Sequence, residues 1–136
     1  VSIITKPVDH DKMQEIYHRF GYFVAPSRVE AQGVAMCEAM ACGLPAIATD
    51  VGSIPEFVKN EINGLRIPPE NPLILRETIK RLLRDERLYN SLSEKGAKFA
   101  KENLSPQVIC AREYSILKAC REEMSNKHMT PSLKII

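Results

Sequence analysis

Four short runs rich in β-branched and aromatic residues, VSIIT (1–5), GYFVA (21–25), PAIAT (45–49) and GLRI (64–67), alternate with segments of helical character. This alternation constrains the fold most, because strands separated by helices pair in parallel and are covered on their faces by those helices. An α/β architecture with a parallel sheet of about four strands follows. The first intervening segment, 9–20, sets Met13, Ile16, Tyr17 and Phe20 at the i, i+3, i+4, i+7 spacing of one apolar helix face. The second runs from about Gly33 to Cys42 and ends at Gly43, with Pro45 beyond, a glycine stop followed by a breaker. A third, short helix is expected at Ser53-Ile54-Pro55-Glu56, where Ser and Glu three residues apart form a capping box.

After Pro68-Pro69 the pattern turns wholly helical. Leu75, Ile79, Leu82 and Leu83 make one apolar stripe; Leu88, Leu92, Phe99 and Ala100 make a second, interrupted by Gly96. Ser105-Pro106 supplies an N-cap and a first-position proline, and Ile109, Ile116, Leu117, Cys120 and Met124 carry a long final helix. Residues 125–136, with Pro131, are expected to form a tail after a unit spanning 1–124.

At 136 residues, 44% of them hydrophobic, the chain can bury one core and is too short for two ordinary domains. A formal charge of +2, with basic residues dispersed, indicates no nucleic-acid footprint. Cys37, Cys42, Cys110 and Cys120 lack paired C-x-x-C spacing and are expected as buried, reduced thiols. His10, His18 and His128 share no metal-ligand spacing with them, so no metal site is expected. No apolar run reaches the ~18 to 20 residues of a membrane span, and the N-terminus lacks signal-peptide regions, which predicts a soluble, cytoplasmic protein. The chain opens at Val1 directly on a strand-like run, as expected of a piece cut from a longer protein.

Ligands of open parallel sheets collect at the carboxyl ends of the strands. Of the loops expected there, 6–10, 26–32 and 50–53, the second leads into the helix that begins near Gly33. That helix end offers backbone N–H groups at Gly33, Val34 and Ala35 with the positive end of the helix dipole, which suits a phosphate or another anion. Glu38 lies five residues further on, about 7.5 Å along the axis at ~1.5 Å per residue. A carboxylate at that remove would not repel the phosphate, and it can accept hydrogen bonds from the hydroxyls of a ribose. Glu30, on the other side of the glycine, would face whatever is attached beyond the phosphates, such as a sugar. Spacing leaves a second account open: Ser27-Arg28-Val29-Glu30 also reads as a capping box, with a helix starting near Arg28 and Gly33 inside it at about 1 kcal/mol over alanine.

The run from Pro26 to Pro68 resembles the retaining, nucleotide-sugar-dependent glycosyltransferases of the GT-B fold, the "glycosyl transferases group 1" family. The resemblance rests on linked motifs in order: Pro26-Ser27, Glu30 and Glu38 as Glu-x7-Glu, Glu38-Ala39-Met40-Ala41-Cys42-Gly43-Leu44-Pro45, Asp50-Val51-Gly52-Ser53-Ile54-Pro55-Glu56, and Asn63-Gly64-Leu65 before Pro68-Pro69. The helical remainder to about Glu123 is similar to the family's C-terminal end. It implies an enzyme of two Rossmann-like halves, this chain being part of the donor-binding C-terminal half, with the N-terminal acceptor domain absent. The partner implied is a nucleotide sugar, without cofactor or metal, and peripheral membrane association of the full-length enzyme is compatible with it. By the same resemblance Glu30 is the catalytic candidate, set against the transferred sugar; the backbone of Ala31 and Gln32 approaches its hydroxyls, Gly33 and Val34 present N–H groups to the diphosphate, and Glu38 binds the ribose.

The family commonly has Gly-Phe or Gly-Leu where this chain has Ala31-Gln32, so contacts to the sugar are expected to differ there. The family's basic pair for the diphosphate lies upstream of VSIIT, so the chain alone is expected to be inactive. Lys6 and Arg28 stand near strand ends, but solvated surface cations are the commoner case. Two rivals stay open: a GT-B nucleotide-sugar epimerase, and a non-catalytic anion- or nucleotide-binding interaction module.

Overall fold

The computed structural model describes residues 8–128; the expected strand at 1–5 and Lys6 lie outside them. The other three runs form the strands β1 (Phe23–Ala25), β2 (Ala46–Thr49) and β3 (Leu65–Ile67), paired in parallel in the order β1-β2-β3. Register sets Ala25 opposite Ala48 and Thr49 opposite Ile67, so the three strands end nearly level. The helices are α1 (Met13–Tyr17), α2 (Val34–Ala41), α3 (Ile54–Phe57), α4 (Pro72–Arg84), α5 (Glu86–Leu104) and α6 (Pro106–His128).

Every residue of β2 is buried, as expected of a strand covered on both faces. Ala46 and Ala48 face Met36 and Met40 of α2 and Ile54 of α3; Ile47 faces Leu65 and Ile67 of β3, Leu82 of α4 and Leu92 of α5. A third cluster joins Tyr17 of α1 to Ala39 and to Leu44. The chain divides after Glu102 into two compact units, the first carrying the sheet. The second contains α6, whose first helical bond runs to the Ser105 carbonyl ahead of Pro106 and which continues past 124 to His128.

Several expectations are corrected. The first helical segment is a 3-10 turn (His10–Lys12) followed by a five-residue helix, so Phe20 falls beyond it and is exposed. Leu83 is 63% exposed while its neighbour Leu82 is buried, because one helical step turns a side chain by about 100°. Gly96 does not interrupt α5: it is buried, and a Cβ there would stand 3.2 Å from the Asn63 carbonyl oxygen, so the glycine is where helix and loop meet. Ile116, Leu117 and Met124 of α6 are exposed rather than a buried stripe. All four thiols are free, but Cys37 and Cys42 are half-buried and Cys110 and Cys120 exposed.

Candidate functional site

The loop from Pro26 to Gln32 leaves the carboxyl end of β1 and leads into α2. No helix starts near Arg28; α2 begins at Val34 with Gly33 as its N-cap, so Ser27 and Glu30 do not form a capping box. Gly33 has φ 71° and ψ 46°, a left-handed conformation that a Cβ would strain, and that Cβ would lie 3.3 Å from Ile54 and Met36 side-chain carbons. Beyond it Val34 and Ala35 are exposed, so this helix end is open to solvent.

Glu30 folds its carboxylate back on its own loop. One oxygen accepts from the Ala31 and Gly33 amides, each at 3.1 Å, and the other from the Ser27 hydroxyl at 3.2 Å. Ala31 and Gln32 are exposed at the turn. Arg28 lies at the surface, paired with Glu70 at 2.8 Å.

Glu38 sits in the middle of α2, its side chain 30% exposed. The Tyr17 hydroxyl donates to one carboxylate oxygen at 2.9 Å, and His10 Nδ1 lies 3.8 Å from the other. A cavity of about 450 Å³ opens here, lined by His10, Asp11, Gln14, Tyr17, Glu38 and Cys42. Burial, reinforced by the Glu38 carboxylate, raises the Tyr17 hydroxyl well above the ordinary tyrosine value, so it remains a donor across the physiological range. Burial and then Glu38 likewise push the Cys37 thiol up to about 11 and raise Cys42, which keeps both protonated beside the carboxylate. Glu30 thus precedes the open helix end and Glu38 follows it, each carboxylate held by its own partners: Ser27 and the Ala31 and Gly33 amides for the first, Tyr17 for the second.

A larger cleft of about 590 Å³ lies at the ends of the strands against α4, with Pro26, Thr49, Ile67 and Asn71 in its wall. None of Glu30, Gly33 and Glu38 lines it. Asn71 caps α4, accepting from the Ile74 amide at 3.0 Å, which gives that side chain a structural task. Among the described residues no three metal-ligating side chains converge, and no helix is long and apolar enough to cross a membrane.

The turn from β2 into α3 holds the Glu30 loop. Thr49, buried at the end of β2, donates its hydroxyl to the Ser27 carbonyl at 2.6 Å. The Ser53 amide donates to the Glu30 carbonyl at 3.3 Å, and the Ser53 hydroxyl donates to the Ala31 carbonyl. The expected Ser53–Glu56 capping box is therefore not formed: α3 has no side-chain cap, because the serine is turned toward the neighbouring loop. Gly52, at φ 52°, passes so close that a Cβ would stand 1.9 Å from the Glu30 carbonyl oxygen. Sequence places Asp50-Val51-Gly52-Ser53 only as one of the loops at a strand end; spacing does not show that it grips the neighbouring loop, and Tyr17 reads as one more apolar residue of a helix face.

Residues 2–99 match the family model described as "Glycosyl transferases group 1". The chain belongs to that family. The chain is 38% identical over 92 residues to an uncharacterized glycosyltransferase of Methanocaldococcus jannaschii, a match over 68% of the chain and 26% of the relative. Among solved structures it resembles a sucrose-phosphate synthase from Thermosynechococcus elongatus, with a TM-score of 0.79, 28% identity, and 85% of this chain and 29% of that one covered. It also shares its fold with Anabaena HepE solved in complex with UDP, at a TM-score of 0.74 and 21% identity over 77% of this chain and 29% of that one. The chain spans less than a third of the length of these relatives. The parallel sheet with helices on both faces is thus that of a GT-B glycosyltransferase.

Proposed function

We propose that this chain is the donor-binding part of a retaining glycosyltransferase that moves a hexose from a nucleoside diphosphate to an acceptor in polysaccharide or glycolipid assembly, in the cytoplasm and without a metal. One observation carries the proposal: two carboxylates, Glu30 and Glu38, bracket an open helix N-terminus at the carboxyl edge of the sheet. That spacing fits one elongated donor. The ribose hydroxyls donate to Glu38, whose second oxygen Tyr17 holds; the diphosphate meets the amides of Gly33 and Val34; the sugar lies toward Glu30 and the backbone of Ala31 and Gln32. The Gly33 amide now bonds Glu30, so donor binding releases it as the carboxylate turns to the sugar. In the transfer the bond between anomeric carbon and diphosphate oxygen breaks with its electrons leaving on the diphosphate, and an acceptor hydroxyl oxygen bonds that carbon on the same face as its proton passes to the departing diphosphate. Amides at the helix end stabilise the charge that develops on the leaving group. Acceptor and remaining basic contacts belong to a domain outside this chain.

Calorimetric titration of the chain with UDP, GDP and ADP tests the assignment, since amides and Glu38 without the partner domain should give weak binding to one of them. In the complete enzyme Glu38→Ala should lose about tenfold or more in diphosphate affinity, the scale of a charge-assisted hydrogen bond. Normal binding by that variant refutes the ribose assignment. Equal turnover by Glu30→Gln refutes the sugar-side role of Glu30.

A further inference from the structure

We propose that the turn from Thr49 to Ser53 is a positioning element for the donor sugar, and that Ser53 sets the direction in which Glu30 and the Ala31-Gln32 peptide present themselves. This rests on the sugar-side reading of Glu30. The loop from Pro26 to Gln32 has no regular structure of its own, yet three of its carbonyls are gripped from one neighbouring turn. Thr49 takes that of Ser27, the Ser53 amide that of Glu30, and the Ser53 hydroxyl that of Ala31. The last two matter most, because they hold the peptide planes on both sides of Ala31 and so fix the backbone from which the Glu30 carboxylate and the Gln32 amide project. Adjacent parallel strands anchor both segments, Ala25 pairing with Ala48, so the grip is referenced to the sheet rather than to another loop.

Two features argue that the grip has a purpose beyond closing the fold. Ser53 leaves its own helix uncapped in order to reach Ala31, although a serine at that place normally caps. Position 52 admits no side chain, so the two backbones approach as closely as glycine allows. The same turn makes no contact with the Glu38 cavity, whose lining comes from the 3-10 turn, α1 and α2. It acts on the sugar end alone.

The test compares each of UDP-glucose, GDP-glucose and ADP-glucose with its own diphosphate in the complete enzyme, by calorimetry, and follows the pair in which the sugar adds most to affinity. Ser53→Ala, which adds no bulk, should cut that sugar increment about fivefold, the scale of one lost hydrogen bond, while diphosphate affinity changes less than about twofold. Its melting temperature should stay within about 2 °C. Ser53→Thr, which keeps the hydroxyl, should preserve the increment. Glu30→Gln serves as the reference. If it loses the increment while Ser53→Ala keeps it, the positioning role is overturned and the reading of Glu30 stands. If Glu30→Gln keeps the increment, or no sugar adds affinity in the unaltered enzyme, the sugar-side reading falls and the positioning role with it. A parallel loss of diphosphate affinity in Ser53→Ala also overturns the proposal, since that would mark a general structural role.

Discussion

Replacing Tyr17 by phenylalanine isolates one hydrogen bond. The ring is buried against Ala39 and Leu44 and meets Phe23 edge-on at 6.2 Å, contacts that phenylalanine keeps. Only the hydroxyl that donates to Glu38 at 2.9 Å is lost. A bond to a charged acceptor is worth roughly 1.5 to 3 kcal/mol, but Glu38 is partly exposed and water can replace the donor, which lowers the expected loss to about 1 kcal/mol. Urea unfolding at pH 7 should then show a midpoint lower by about 0.5 M, for a slope near 2 kcal/mol per molar. The pH dependence carries the sign. Tyr17 ionises later in the folded chain than in the unfolded one, so its stabilisation is complete below about pH 10 and is lost as pH rises further. Above that pH the unfolded tyrosine chain gains about 1.4 kcal/mol per pH step, and the gap to the phenylalanine variant should close near pH ~10.7. Both chains share every other titrating group, so the difference reports Tyr17 alone. Equal midpoints at pH 7, or a gap that stays constant from pH 8 to 11, would refute the coupling of Tyr17 to Glu38.

Gly52→Ala should destabilise by about 2 kcal/mol or more, since its Cβ would meet a carbonyl oxygen at 1.9 Å in a left-handed conformation. Gly21→Ala, where only the Tyr89 hydroxyl approaches, at 3.9 Å, should stay within about 0.5 kcal/mol in the same thermal melts. Leu82→Ala should cost about 2 to 5 kcal/mol and Leu83→Ala about 0.5 or less; similar losses would overturn the burial difference between these neighbours. At pH 8 a thiol reagent followed by mass spectrometry should label exposed Cys110 well before Cys37, whose thiol, lifted to about 11, holds roughly a hundredfold fewer thiolates than an ordinary cysteine. The same shift contributes stability in full below about pH 8.5 and is lost as pH climbs through about 11, which a pH series of melts will show.

Much of this protein is local in origin. Runs of β-branched and aromatic residues, period-3.6 patterns, glycine stops and prolines are properties of short segments, and they suffice to place the three described strands, the stop of α2 ahead of Gly43 and the helical C-terminal region. The family, too, is legible in one stretch, because the Glu-x7-Glu spacing and its linked motifs run in order along the chain. Whether a side chain on a helix face is buried depends on what lies opposite, which is why Phe20, Leu83 and the apolar residues of α6 were misjudged from pattern alone. The same limit hid the partners of the two carboxylates. Tyr17 and Glu38 are brought together by packing of α1 on α2, and Ser53 meets Ala31 because β1 and β2 lie side by side in register. Sequence alone set Glu30 and Glu38 eight residues apart around a glycine and left open whether Glu30 precedes the helix or lies in its first turn; Gly33 at the N-cap of α2 decided it. Their surroundings were decided by tertiary structure, because a hydrogen bond between residues 21 or 22 apart exists only after the sheet has paired and the helices have packed on it.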